Sequence, residues 1–274
     1  MLKTYVIALT TFKEIVRRPL FWLMLLAAAA LLRLFVIIPY FTLGEDIKMV
    51  KDQGLTVLAV TGLIVALFAA SVSIADEIEG KTALTLLSKP VSRRNFILGK
   101  YFGIMAAIGL LFLILSVVFW SAIDSKIDFE ARENSETAPT GESRWLEFAP
   151  MIPGVLLAYL QVAVLCALSV AFSTRFPIHW NITLCIAVYL LGNLTHQMAA
   201  FSRQSDQFAG VGFMAKVFGV LFPGLHHFNI GAAISTNATV PWFDYVLPAF
   251  GYAALYVSFA LVLAFLLFED RDLA

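Results

Sequence analysis

Charged residues are scarce in this chain. They make up 14% of its 274 residues, whereas hydrophobic residues make up 60%; about a quarter of an ordinary soluble domain is charged. Cysteines are also scarce, because Cys166 and Cys185 are the only two. The first shortage argues against a water-soluble domain. The shortage of cysteines argues against a fold that several disulfides hold together. Both cysteines are therefore expected to be free thiols that pack as small apolar residues.

The sequence also lacks the motifs of a nucleotide site and of a hydrolase. Residues 75–82, "ADEIEGKT", end like a phosphate-binding loop, but Ala75 stands where that loop needs glycine, and Glu77 and Glu79 would repel a phosphate. There is no complete Walker B site, no Gly-x-Ser-x-Gly, no His-Glu-x-x-His and no pair of intramembrane aspartates. The chain is therefore predicted to be no enzyme and to bind no cofactor or metal itself.

Long apolar blocks are the main feature that is present. Each is near the roughly 20 residues that a helix needs to cross a bilayer, and none alternates in polarity as a membrane β-strand would. Backbone groups in lipid must bond within the protein, so the blocks predict an all-α integral membrane protein with a bundle of about six transmembrane helices. The predicted spans are about 20–42, 55–75, 101–123, 151–173, 181–200 and 246–268.

Lysine and arginine are unevenly distributed between the segments that six spans would separate. Cations outnumber acids in the set that includes both termini, and acids outnumber cations in the other set. Cytoplasmic segments of membrane proteins carry the excess of Lys and Arg. Both termini are therefore predicted to be cytoplasmic.

Residues 1–18 form an amphipathic segment before the first block. A line of apolar residues recurs there at three- and four-residue steps: Leu2, Tyr5, Leu9, Phe12 and Val16. This pattern predicts an N-terminal amphipathic interfacial helix that lies in the headgroup layer and is broken by Pro19. A cytoplasmic extension of the first span is the alternative, but the corner formed by Arg17, Arg18 and Pro19 favours the lying helix.

Residues 76–100, between the second and third spans, are too charged to enter lipid and too apolar for a random linker. Apolar residues at helical spacing, Ile74, Ile78, Leu84 and Leu87, predict a short amphipathic cytoplasmic helix that Pro90 ends. A helix continuous with a span, with charges and leucines on its surface, suits a contact with a soluble protein.

Three stretches resemble the type-2 ABC transporter permeases, the ABC-2 family. "EIEG" at 77–80 with Thr82, followed by "LLSKPVSRRNFILGKYFG" at 86–103, is similar to the family signature, although Lys81 interrupts the frequent Gly-Thr pair. "TFKEIVRRPLF" at 11–21 is similar to the family's elbow segment, and "LFPGLHHFNI" at 221–230 to the segment before its last span. The resemblance covers essentially the whole chain as one permease domain, 1–274.

The resemblance implies the membrane-spanning subunit of an ABC transporter, an exporter by expectation, in a cell membrane such as the bacterial inner membrane. Its implied partners are a separate ATPase, which carries ATP and Mg²⁺, and a second permease chain, identical or homologous; no nucleic acid is expected. In the family the segment corresponding to 76–100 forms the coupling helix that rests on the ATPase. By analogy, the residues at or near that contact are Glu77, Glu79, Gly80, Thr82, Leu87, Pro90 and Arg93.

Two alternatives remain open at this stage. The charges of segment 76–100 are also compatible with a solvated loop near lipid headgroups. A non-transporting membrane anchor or regulator of an ATPase would carry the same docking segment, and ATP-dependent substrate movement would separate it from an exporter. The hydrophobicity of the spans does not specify a substrate.

Polar residues within the blocks predict further contacts. Arg33, inside the first block, is expected either to face a translocation path or dimer seam, or to snorkel outward. Gln161, Asn193 and His196 are expected to be interhelical hydrogen-bond partners.

Two further segments, 124–148 and 201–245, are predicted to be external. The acidic, turn-rich composition of residues 124–148 favours a flexible loop over a structured cap. Residues 201–245 contain the apolar stretch "FAGVGFMAKVFGVLF", which predicts a re-entrant or interfacial helix in preference to a seventh span.

Overall fold

The computed structural model describes residues 2–38, 46–79, 92–133, 139, 141–204, 217, 219, 222–236, 238 and 240–269. Within these ranges it leaves undescribed the side chains of residues 2, 75–79, 142, 143, 195–204, 232, 235 and 269. All the regular structure in these ranges is helical, which confirms the predicted all-α class.

The described chain forms nine α-helices in the following order. They are α1 (Leu2–Arg17), α2 (Pro19–Ile37), α3 (Asp46–Glu79), α4 (Arg93–Glu133), α5 (Glu142–Phe148), α6 (Met151–Ser173), α7 (Ile178–Gln204), α8 (Gly231–Ser235) and α9 (Leu247–Glu269). A 3₁₀ turn at Leu225–Phe228 precedes α8, and a π-helical turn at Trp242–Val246 leads into α9.

Each of the six predicted spans overlaps a helix, although residues 39–42 of the first lie outside the described residues. Among the residues that are described, five apolar helical stretches are long enough to cross a membrane: Pro19–Ile37, Asp46–Ile74, Arg93–Glu133, Arg144–Ser173 and Trp242–Phe268. The sixth, Ile178–Leu194 within α7, is apolar but shorter. Helix α4 has 41 residues, which makes it about 60 Å long at 1.5 Å per residue, so its polar ends continue well beyond the roughly 30 Å of hydrocarbon.

Helix α6 forms the centre of the bundle. Nearly all of its residues are buried, and it contacts α3, α4, α7 and α9. Helices α2 and α9 lie at the periphery, where Leu26 is 65% exposed and Leu255 is 75% exposed. The free thiols of Cys166 and Cys185 are buried in the core, which confirms their predicted packing role.

Helix α1 ends where the sequence predicts. Arg18 is extended, with φ −70° and ψ 135°, and Pro19 begins α2, so α1 and α2 are separate helices. The face of α1 that packs on α4 contains the buried Thr11 and Ile15. Tyr5 and Leu9, from the predicted apolar line, are exposed. Helix α1 therefore has a second apolar face in addition to the one that the periodicity singled out.

The bundle has two distinct ends, which are named here by one residue each. At the Arg93 end, the start of α4 meets the end of α9, since Arg93 contacts Phe268. At the Lys126 end, the far part of α4 meets the start of α3, since Lys126 Nζ lies 2.9 Å from Asp46 Oδ2.

The expectation of a flexible loop at 124–148 is wrong for the residues that are described. Helix α4 continues to Glu133, and α5 forms a further helix. Ion pairs explain the order: Arg144 Nη2 lies 2.6 Å from Asp124 Oδ1 and 3.1 Å from Asp128 Oδ1, and Lys51 pairs with Glu147. Three of the acids that suggested a solvated loop, Asp124, Asp128 and Glu147, are therefore partners of cations on neighbouring helices.

The described part of 201–245 packs against the bundle at the side of α7 and α9. The Gly224 N–H donates to Tyr252 Oη at 2.8 Å, and a Cβ at Gly192 would lie 2.6 Å from the Pro223 carbonyl oxygen. Glycine at 192 thus permits a close approach of the two backbones. Most of the stretch "FAGVGFMAKVFGVLF" lies outside the described residues.

Candidate functional site

The predicted partner-contact residues flank the junction between α3 and α4. Glu77 and Glu79 belong to the last turn of α3, where the backbone alone is described, and Arg93 is the first residue of α4. The others, Gly80, Thr82, Leu87 and Pro90, lie outside the described residues. The structure therefore describes two helix ends at this candidate site: the end of α3 and the start of α4, which segment 80–91 connects.

Arg93 ties the start of α4 to the end of α9. Its Nη1 donates to the Phe268 carbonyl oxygen at 2.8 Å, and its guanidinium carbon lies 5.5 Å from the centroid of the Phe268 ring. The Phe96 ring stacks on the same ring at 6.1 Å. A cation at a helix C-terminus and over an aromatic face is stabilised by both. One side chain thus fixes the end of α9 to the helix that follows segment 80–91.

Lys100 ties α4 to α3 two turns further on. It is 3% exposed, its Nζ donates to Ser73 Oγ at 2.8 Å, and it lies 5.7 Å from the centroid of the Phe96 ring. An ammonium group at such a position needs hydrogen-bond partners, because burial without them is costly. The contact between Lys100 and Ser73 therefore fixes the register of α3 against α4.

Gly99 and Gly103 let α1 approach α4 closely. A Cβ at Gly99 would lie 2.7 Å from Ile7 Cβ, and a Cβ at Gly103 would lie 2.6 Å from the Ala8 carbonyl oxygen. Residues four apart lie on one face of a helix, and small residues at that spacing allow two helix backbones to pack directly. The spacing is visible in "GKYFG" as a small-xxx-small pattern, which is the signal that could have located this contact.

The first three turns of α4 therefore contact α9, α3 and α1. These contacts are hydrogen bonds, cation–π contacts and close backbone packing, and they join α4 to its neighbours. No group of three or more His, Cys, Asp or Glu residues in the described ranges is arranged to hold a metal ion.

A comparison with known protein families matches residues 12–178 to the family described as ABC-2 family transporter protein. The chain belongs to the ABC-2 transporter family. The match runs from within α1 through α6 and includes the start of α4, with Arg93, Gly99, Lys100 and Gly103, but not α9. The chain is thus a multi-pass permease component of an ABC transporter, a family whose membrane component usually works with an ATPase and is generally not catalytic itself. A search of curated proteins finds no match.

A fully buried hydrogen-bond cluster near the Arg93 end of the permease was not predicted. Asn181 Nδ2 donates to Ser71 Oγ at 2.8 Å and to Ser169 Oγ at 3.0 Å, and Cys185 Sγ lies 3.5 Å from Asn181 Oδ1. The cluster joins α3, α6 and α7. Asn181 begins the fifth apolar block, so an amide inside an apolar run was the available signal.

Arg33 of the permease contacts α4. Its Nη2 donates to Ser121 Oγ at 2.8 Å and its Nη1 to Ser125 Oγ at 3.5 Å, while the side chain remains exposed. Helix α2 ends at Ile37, so Arg33 lies about 6 Å from the end of its helix at 1.5 Å per residue. The guanidinium is thus near the Lys126 end and points along α4, and its role in a translocation path or dimer seam stays a prediction.

Two of the predicted interhelical hydrogen-bond partners differ from expectation. Asn193 Nδ2 donates to the Tyr189 carbonyl oxygen of its own helix at 3.1 Å, which is a helix-internal bond of the kind that polar side chains make with the preceding turn. Gln161 is buried but has no hydrogen-bond partner among the described residues. The side chain of His196 lies outside the described residues.

Proposed function

We propose that this permease is the membrane-spanning half of an ABC exporter, driven by a separate ATPase that docks on segment 76–100. Two nucleotide-binding subunits would close on ATP and Mg²⁺, push this segment, and shift the helices between inward- and outward-accessible states. The chain would pair with a second permease chain in a cell membrane, with both termini in the cytoplasm.

The observation that carries this proposal is the set of contacts at the start of α4. Segment 80–91 returns directly into a helix whose first turns hold α9 through Arg93, α3 through Lys100 and α1 through Gly99 and Gly103. A displacement of this helix end is passed to three neighbours, because packed interfaces shift as units and do not deform continuously. Docking at this segment would therefore move much of the bundle.

The exposed apolar faces of α2 and α9 support the membrane and dimer parts of the proposal. Leu23 of α2 is 60% exposed and Phe259 of α9 is 63% exposed. Helix faces that expose several large apolar side chains are stable only against lipid or another apolar surface. We assign them to the bilayer and the second permease chain.

Charge reversal tests the docking. The chain is purified together with the ABC ATPase proposed as its partner, as the parent and as the Glu77→Lys and Glu79→Lys variants. Asp244→Lys is the matched control, because Asp244 is an exposed acid at the Lys126 end. We expect the first two variants to lose co-purified ATPase and its stimulation, and the control to keep both. Unchanged association in both variants would remove the proposal.

Labelling with a membrane-impermeant maleimide tests the orientation. The native Cys166 and Cys185 are buried, so introduced cysteines dominate the labelling. In intact cells, Asp244→Cys is expected to react, whereas Lys89→Cys is expected to react after the membrane is opened. Labelling of Lys89→Cys in intact cells would place the segment outside and contradict ATPase docking.

A further inference from the structure

A small polar cavity lies between α3, α6, α7 and the chain around α8, in the half of the bundle toward the Lys126 end. Its volume is about 70 Å³. Pockets for drug-sized molecules have volumes of about 300–1,000 Å³, so this cavity is too small for such a cargo. Its polar lining residues are Asp52, Thr56, Gln161, Tyr189, Asn193 and Asn229.

Gln161 contributes a buried amide to this cavity. The residue is 7% exposed, lines the cavity, and makes no hydrogen bond to any part of the chain that the structure describes. Its amide faces the cavity and is not among the fully buried unpartnered groups of the described residues. The amide therefore has hydrogen-bonding capacity that a water molecule or a polar ligand in the cavity can use.

Asp52 contributes a negative charge. Its side chain is exposed, and none of the ion pairs between described residues includes its carboxylate. Of the cations on the same and neighbouring helices, Lys51 pairs with Glu147, Lys126 pairs with Asp46, and Lys48, one turn before Asp52, also has an interaction partner. No cationic side chain lines the cavity. The cavity thus has a formal charge of −1 when Asp52 is ionised.

Oxygen atoms converge beside Gly231. The point where a Cβ would stand on Gly231 lies 3.0 Å from Asp52 Oδ1 and 3.1 Å from Asn229 Oδ1. The Asn229 oxygen is held in place, because it accepts a hydrogen bond from the Gly231 N–H at 2.7 Å. A side chain at position 231 would crowd both oxygens, so glycine keeps the space between them open.

We propose that this cavity binds a small monovalent cation, Na⁺ or K⁺. Asp52 supplies one compensating charge, and the side-chain oxygens of Asn229 and Gln161 supply neutral donors. Oxygen donors suit hard cations, and a single carboxylate balances one positive charge. The site does not include segment 76–100, so a negative result for cation binding would leave the proposed ATPase docking unaffected, and the reverse also holds.

Thermal unfolding of the full chain in detergent tests the site. Tm is measured during titration with NaCl or KCl at constant ionic strength, with N-methyl-D-glucamine chloride as the balancing salt, because that cation is too large for the cavity. A ligand that binds the folded state raises Tm in a saturable manner. We expect a saturable rise with Na⁺ or K⁺ and none when the balancing salt alone is increased.

Two variants and one control assign the effect to the cavity. Asp52→Asn preserves shape and is expected to abolish the saturable rise, and Gln161→Leu is expected to move its midpoint to higher cation concentration. Asp244→Asn, an exposed acid that does not line the cavity, is expected to behave as the parent. Binding of ²²Na⁺ or ⁸⁶Rb⁺ to the same proteins gives a readout that does not depend on their stability.

Three results would overturn the proposal. The first is equal Tm values in all three salts together with no radioactive cation bound. The second is an unchanged response in Asp52→Asn. The third is a response to Ca²⁺ or Mg²⁺ alone, which would contradict the monovalent assignment.

Discussion

The two ends of the bundle hold their cations in different ways. At the Lys126 end three cations have carboxylate partners: Asp46 for Lys126, Glu147 for Lys51, and Asp124 and Asp128 for Arg144. Arg33, near the same end, donates instead to the hydroxyls of Ser121 and Ser125. At the Arg93 end the described partners of Arg93 and Lys100 are neutral: a backbone carbonyl, a hydroxyl and aromatic rings.

This difference suggests different contributions to stability at the two ends. Breaking the buried Lys126–Asp46 pair would leave an uncompensated charge, so this pair favours one arrangement strongly, whereas the carboxylates that pair with Lys51 and Arg144 are exposed. Contacts with neutral acceptors and rings are worth less and are exchanged at lower cost. We therefore expect the Lys126–Asp46 pair to contribute more to stability than the contact of Arg93 with Phe268.

Lys126→Met is expected to have the largest effect on stability. Lys126 is 1% exposed and its partner Asp46 is 13% exposed. Removing the ammonium group from this carboxylate should lower the free energy of unfolding by about 3 to 5 kcal/mol, measured by denaturant titration in detergent. The double variant Lys126→Met, Asp46→Asn should recover part of the loss. A loss in the double variant equal to that of the single variant would show that packing, not charge, holds this end.

Gly103→Ala tests the close contact at the Arg93 end. The new Cβ would lie 2.6 Å from the Ala8 carbonyl oxygen, so α1 must move away from α4. Overpacking of this kind should lower the free energy of unfolding by about 1 to 3 kcal/mol and speed trypsin cleavage at Lys13, which is exposed on α1.

Gly251→Ala is the matched control for this glycine variant. It lies on helix α9 with no atom within 4 Å of a new Cβ, and alanine favours a helix over glycine. Stability should therefore stay equal or rise. If Gly103→Ala and Gly251→Ala have the same effect on stability, the close contact of α1 with Gly99 and Gly103, the glycine face of α4, does not hold α1 in place.

The sequence predicts the helical class, all six apolar blocks and the break at Pro19, because each depends on local composition or on one residue's backbone chemistry. It does not predict which face of α1 is buried, since Tyr5 and Ile7 are both apolar and tertiary packing chooses between them. The helical structure of the described residues in 124–148 is not predicted for a related reason: Asp124 and Arg144 are 20 residues apart in sequence, and composition carries no information on which charges meet.

The sequence predicts where the candidate site lies along the chain, but not which residues contact one another there. The position of Arg93 at a helix start follows from Pro90, but its contact with Phe268 spans 175 residues. The position of Gln161 at the cavity cannot be predicted from the sequence, because the cavity is formed by three helices and the chain around α8. A polar residue in an apolar block indicates that a partner is needed and leaves the identity of that partner to the fold.

Arg93→Lys is expected to have the smallest effect on stability and to separate two roles of this residue. Lysine keeps the charge but lacks the planar guanidinium that lies over the Phe268 ring while donating to its carbonyl. The free energy of unfolding should fall by about 1 kcal/mol or less, and Arg94→Lys, at the exposed neighbouring position, should leave it unchanged. If Arg93 acts by fixing α9, the lysine variant should still bind the ATPase and stimulate it less. Loss of binding, with stability unchanged, would instead make Arg93 a direct contact of the ATPase, and the contrast between the two ends would then rest on Lys100 and the glycine face alone.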